Sequence, residues 1–180
     1  MKEFMNEDFL LESDTAKRLY HEHAEKMPII DYHCHINPAD IAQNKQYSSI
    51  TDVWLGGDHY KWRLMRANGV PENKITGSLS TQPYTVFEQF AKTLPKAVGN
   101  PVYHWAYLEL KRYFDIEKQL NATTAKEIYE QCNAYLTKPE LSVRGLIDRS
   151  NVKLICTTDD PVDDLKWHKK IREDQTCKVK

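Results

Sequence analysis

Pro28-Ile29-Ile30-Asp31-Tyr32-His33-Cys34-His35, followed at once by Ile36-Asn37-Pro38, is the stretch on which the reading of the whole chain turns. The residue before a proline avoids the helical region, so Met27-Pro28 ends whatever helix precedes it. The β-branched run that follows predicts a strand as far as His35. Residues i and i+2 of a strand point to the same side, so His33 and His35 present both imidazoles to one face. Their Cα atoms then lie roughly 6–7 Å apart, close enough to share one metal ion. Cys34 faces the opposite way. An isolated His-x-His at a strand end need carry no chemistry. This one closes an apolar strand just before a turn, which is where parallel-sheet and barrel enzymes keep their sites. Zinc takes three or four ligands, so the pair is only part of a site.

Length and composition bound the rest. A chain of 180 residues, 41% hydrophobic and 28% charged, with net charge −1, reads as a globular domain with a real core. Its cationic residues are scattered, so no nucleic-acid partner is expected. No apolar run approaches the ~20 residues that span a bilayer, so no membrane partner is expected either. The opening Met-Lys-Glu-Phe-Met-Asn-Glu-Asp is too polar and acidic for a secretory signal. Cys34, Cys132, Cys156 and Cys177 form no C-x-x-C pair and read as reduced thiols, which makes the expected location cytoplasmic.

Outward from the strand, residues 1–12 read as an irregular docking segment. Ser13 or Asp14 caps a helix to about Lys26, with Ala16, Leu19, Tyr20 and His23 towards one face. Beyond Ala39 the chain reads as helices punctuated by Gly, Pro and Asn. They cover 49–55, 58–68 and 84–93, with a polar loop at 72–83. Asn100-Pro101 starts a further helix to Phe114. Another opens at Thr123 or Thr124, where Thr124 and Glu127 have capping-box spacing, and Ser142 caps one to Arg149. Asn151–Thr158 is a second strand. Asp159-Asp160-Pro161 opens a helix to about Glu173, and Val179-Lys180 begins a third strand. The organisation is therefore 1–38 with the first strand, 39–150 as a helical insertion, and 151–180 with the second strand and its helix. Two or three strands make no independent sheet of any size, so the chain reads as the front of a larger α/β protein.

Three stretches then resemble a known family. Pro28–His35 resembles the first barrel strand of the amidohydrolase superfamily. Trp54-Leu55-Gly56-Gly57-Asp58-His59-Tyr60-Lys61-Trp62-Arg63, with Arg66-Ala67-Asn68-Gly69-Val70, narrows the resemblance to uronate isomerases. Cys156-Thr157-Thr158-Asp159-Asp160-Pro161 is similar to that family's second strand and turn. The resemblance covers essentially the whole chain. It implies an α/β fold: the first strands of a TIM (β/α)8 barrel of amidohydrolase type, with a large all-helical insertion between strands 1 and 2, mostly helical in this chain. The implied activity interconverts D-glucuronate with D-fructuronate and D-galacturonate with D-tagaturonate, an aldose–ketose isomerisation through an enediolate. His33 and His35 match the family's metal ligands, usually described with zinc, and Tyr60 matches a tyrosine proposed to move the proton. A further histidine, an aspartate and substrate-binding arginines belong to later strands of a much longer chain, so the 180 residues alone are expected to be inactive.

On their own chemistry, His59, Arg63 and Asp159 are candidate substrate contacts. His59 suits a hydroxyl or carboxylate, or the cap of its helix. Arg63 suits a bidentate contact to a carboxylate, or a surface ion pair. Asp159 suits the mouth of the strand end, or the cap of the following helix. Cations such as Lys61, Arg63 or a metal would ease loss of the Tyr60 proton. The four tryptophans read as packing, and His104 and His168 as structural or solvated. No glycine-rich phosphate loop appears. Two other functions stay open: a metal-dependent hydrolase in which the ion activates water, and a non-catalytic helical interaction module using Tyr103, Trp105 and Tyr107. Self-association into a homo-oligomer is also open.

Overall fold

The computed structural model describes residues 4–180. The chain divides into two compact units, one formed by residues up to Lys45 together with Val143–Lys180, the other by Gln46–Ser142. Ala39–Lys45 and Val143–Ser150 thus fall in the first unit, with the strands.

The first unit is built on a two-stranded parallel sheet, β1 (Ile29–Cys34) beside β2 (Val152–Thr157). Ile30 pairs with Leu154, Asp31 with Ile155 and Cys34 with Thr157, with irregularities on either side of Ile30-Asp31. The far edge of β2 is taken by the C-terminal residues. Ile155 N–H donates to the Lys180 carbonyl at 2.8 Å, and Lys180 N–H to the Lys153 carbonyl at 3.1 Å. The expected third strand therefore begins to ladder where it was read. Among the described residues β1 has no such cover: Ile30 is 65% exposed and Tyr32 85%. Apolar side chains left open on a strand with one unpaired edge are unusual in a finished fold.

Around the sheet lie α1 (Asp14–Leu19), α2 (Pro38–Ala42), α8 (Val143–Arg149) and α9 (Lys166–Glu173). Ser13 caps α1 as read, its hydroxyl accepting from Ala16 N–H. The helix is shorter than expected, passing into one π-helical turn over Tyr20–Ala24, and it buries none of its residues. Of the 1–12 segment, residues 1–3 lie outside the described residues, while Met5 is buried and the Phe4 and Phe9 rings meet edge-on. The segment is tied to α1 by Asp8, which bonds Lys17 Nζ at 2.8 Å and His21 Nε2 at 3.0 Å. The Asp8 hydrogen bond, assisted by Glu25, holds the His21 pKa above 6.5. A histidine whose folded pKa is raised stabilises below its unfolded value and loses that contribution as pH rises through the folded one. We therefore expect the His21 ring protons to titrate above pH 6.5 by NMR, with the segment's own resonances shifting over the same window. A midpoint at or below 6.5 would remove Asp8 as its partner.

α2 was not anticipated. Asn37-Pro38 read as a turn, yet the Asn37 side chain accepts from Ala39 N–H at 2.9 Å and Pro38 occupies the first helical position, the asymmetry that starts helices. α9 begins later than expected. Asp159-Asp160-Pro161 does not open it, because Asp160, Asp163 and Asp164 spend their side chains on local turns and Leu165 takes φ +54. The helical path resumes only at Lys166.

The second unit comprises α3 (Ile50–Leu55), α4 (His59–Ala67), α5 (Pro83–Thr93), α6 (Pro101–Phe114) and α7 (Ala125–Leu136). In α5, Val86, Phe87, Phe90 and Ala91 fall on one face and are fully buried; each phenylalanine contributes about 1.5–3 kcal/mol of transfer free energy. They meet Ile50, Leu55, Met65, Leu110 and Ile128 in a single core. α6 starts on the Asn100 cap as read and ends at Asp115 in the left-handed region. The capping box at Thr124 does not form: its hydroxyl donates to the Gln119 carbonyl, and Glu127 pairs with Lys118. The 72–83 loop contains a short 3₁₀ turn, Glu72–Lys74, and seats Ile75 in the core. Tyr107, read as a candidate interface aromatic, is buried, whereas Trp105 is exposed. No helix among the described residues is long and apolar enough to cross a membrane.

Candidate functional site

At the end of β1 the two histidines do what the alternation predicts. The His33 and His35 rings meet edge-on with Nε2 to Nε2 at 3.1 Å, both exposed. A tetrahedral ion with Zn–N bonds of 2.0–2.1 Å needs its nitrogens about 3.3 Å apart, so this separation fits two positions of such a sphere. Between bare neutral rings it requires one Nε2 to carry the proton. The strand end is fixed locally: Thr158 Oγ1 donates to the Cys34 carbonyl at 3.1 Å, Cys34 Sγ accepts from Ile36 N–H, and Asn37 starts α2. Cys34 faces inward as expected, and burial pushes its thiol pKa up. All four cysteines are free. Among the described residues no third His, Cys, Asp or Glu joins the pair.

Asp159 is held at the end of β2 by its neighbours. Its Oδ2 accepts from the Thr157 hydroxyl at 2.6 Å and lies 3.4 Å from His168 Nε2, which is itself 2.7 Å from Thr157 Oγ1. It does not cap a helix, because α9 starts seven residues on. His168, read as structural or solvated, is the residue that ties α9 to β2.

His59, Tyr60 and Arg63 sit on α4 in the second unit. His59 and Tyr60 occupy its first turn and both are exposed. His59 is not the cap: Asp58 is, accepting at Oδ1 from Tyr60 N–H and Lys61 N–H. The His59 ring packs edge-on against Trp62, whose Nε1 donates to the Leu55 carbonyl. Arg63 places its guanidinium 5.7 Å from the Tyr60 ring centroid, and Trp105 meets the same ring edge-on. Lys61, read as a cation for Tyr60, turns inward instead and pairs with Asp58 Oδ2 at 2.8 Å.

The sequence reading passed over Arg144. It is 15% exposed, and its guanidinium donates to the carbonyls of Ile41 and Ala42, both at 2.7 Å, to Asp174 Oδ2 at 2.6 Å and to Thr176 Oγ1 at 3.1 Å. It closes the carboxyl end of α2 onto the turn after α9. Its partners lie up to 103 residues away in sequence, so no local pattern could have exposed it.

A parallel strand ending in convergent imidazoles, in a chain whose other unit is helical, places it among α/β proteins with a histidine pair at a strand end. Comparison with known proteins makes this specific. The glucuronate isomerase family model matches residues 1–180, and the chain belongs to that family. It is 58% identical over its whole length to a uronate isomerase of Lachnoclostridium phytofermentans and 55% identical over 177 residues to one of Lactococcus lactis. It spans 38% and 37% of those proteins. Two crystal structures share the fold. The uronate isomerase of Thermotoga maritima superposes with TM-score 0.90 at 39% identity, over 99% of this chain and 39% of that one. The glucuronate isomerase of Caulobacter crescentus gives 0.84 at 28% identity, over 94% and 37%.

Proposed function

We propose that this chain supplies the front of a uronate isomerase: the first strands of a (β/α)8 barrel and the helical insertion between them. In that reading the complete enzyme interconverts D-glucuronate with D-fructuronate and D-galacturonate with D-tagaturonate. The observation that carries it is the convergence of His33 and His35 on one point at a strand end, in a chain of this family. The exposed apolar side chains of β1 add support, since a strand left open on both faces fits one awaiting the rest of a sheet.

His33 and His35 would hold a divalent ion, zinc by their nitrogen donors, with further ligands from the remaining polypeptide. Such an ion would supply positive charge near the substrate's carboxylate and hydroxyl oxygens. Tyr60, exposed at the start of α4 with a guanidinium over its ring, carries the proton between the reacting carbons, as the isomerisation requires of a base that becomes an acid. His59 binds a substrate hydroxyl and Arg63 the uronate carboxylate. Asp159 orients the strand end through Thr157.

The test joins residues 1–180 to the C-terminal 62% of the Lachnoclostridium phytofermentans relative and follows D-fructuronate formed from D-glucuronate. The joined protein is expected to turn over and the 180-residue chain alone to show none. A folded joined protein without isomerase activity would end this reading. Activity in the 180-residue chain would end the claim that it is a portion.

A further inference from the structure

The first turn of α4 is organised around a buried charge that the chemistry above does not use. The Lys61 side chain is 5% exposed. Its ammonium pairs with Asp58 Oδ2 at 2.8 Å, lies 3.9 Å from Glu109 Oε2 on α6, and sits 5.5 Å from the Trp54 ring centroid on α3. Glu109 Oε2 is buried and accepts no hydrogen bond from a described residue. Burial raises the Glu109 pKa, countered in part by Lys61. Asp58 divides its oxygens: one caps the helix through Tyr60 and Lys61 N–H, the other takes the ammonium. Trp62 adds a second inward anchor through its bond to the Leu55 carbonyl.

Burying the Lys61 ammonium is poor practice for stability alone, because an apolar side chain of similar volume packs there as well or better, while Asp58 and Glu109 stay 25% and 32% exposed. What the cluster does supply is direction. α4 is nine residues long, and Lys61 and Trp62, the two residues after Tyr60, are both anchored by their side chains. We propose that Asp58, Lys61 and Glu109 form a positioning device that holds His59 and Tyr60 in their working orientation; the proposal rests on the reading of Tyr60 as the proton carrier. Lys61 is a positioning residue in it and touches no substrate.

The test uses the triple variant Asp58→Asn, Lys61→Met, Glu109→Gln, which keeps the capping oxygen and removes all three charges together. In the 180-residue chain the unfolding midpoint is expected to hold or rise, while hydrogen exchange at the Tyr60 and Lys61 amides speeds up about tenfold relative to Met65. In the joined enzyme kcat is expected to fall by roughly 10–10²-fold with KM little changed. Asp58→Asn alone gives a smaller loss in the same direction. Unchanged amide protection overturns the proposal, as does turnover that matches the parent or falls only in step with the folded fraction. If the unsubstituted joined enzyme makes no D-fructuronate, the isomerase reading fails, and amide exchange still decides the positioning.

Discussion

Tyr60→Phe in the joined enzyme is expected to lower kcat by about 10²–10⁴-fold, the range seen when a positioned acid–base group is lost. The substitution deletes one phenolic oxygen from a side chain that is 62% exposed, so the ring contacts with Arg63 and Trp105 persist and folding is spared. KM should move little, because a proton carrier acts between reacting carbons rather than on the bound ground state. Exchange of the substrate's C2 proton with solvent should fall with kcat, since both pass through the same transfer. Turnover like that of the parent would remove Tyr60 from the mechanism while leaving the histidine pair untouched. A large rise in KM at constant kcat would instead make it a binding residue.

The second large effect is on stability. Arg144→Met is expected to destabilise the strand-bearing unit by about 2–4 kcal/mol in urea unfolding, because several charge-assisted bonds vanish together. The carbonyls of Ile41 and Ala42 at the end of α2 lose their donor, and Asp174 loses its cation. Arg144→Lys should recover only part of the loss, since an ammonium cannot reproduce the planar fork that reaches two carbonyls and a carboxylate at once. A change under about 0.5 kcal/mol, the size of an ordinary surface substitution, would show that water replaces the guanidinium. The same knot sets an acid limit. Thr176 first, and then Arg144, hold the Asp174 pKa down to about 2. A depressed carboxylate contributes fully above its unfolded value of 3.8 and is lost as pH falls through the folded one. This tie should therefore outlast ordinary carboxylates on acidification, and in Arg144→Met it should weaken at higher pH.

What the sequence disclosed, and what it hid, follows from the range of each interaction. Both strands, the His33–His35 geometry and the Asn100-Pro101 start of α6 depend on neighbours one to four residues away, and all were legible. α2 was hidden because Asn37-Pro38 suits a turn and a helix start equally, and packing chose between them. The late start of α9 came from three aspartates, each satisfied by a local turn, which a helix reading takes as favourable N-terminal charge. Lys61 was misplaced for a different reason. A lysine next to Tyr60 reads as a cation for that side chain, and Trp54 and Glu109, brought in by other helices, make its inward position tolerable. Arg144 needed tertiary structure altogether.

One backbone bond has a consequence for how this chain tolerates change. Val143 N–H donates to the Lys45 carbonyl at 2.9 Å, so the polypeptide leaves the sheet-bearing unit and returns to it at a single point. Everything from Gln46 to Ser142 is one closed loop hung from that clasp. Closure entropy grows only with the logarithm of loop length, about 0.6 kcal/mol per doubling. Lengthening, trimming or exchanging the helices between Gln46 and Ser142 therefore costs the strands almost nothing, provided the two ends still meet. The helices of this loop outside α4 can therefore diversify as a cassette while the strand end that carries His33 and His35 stays as it is.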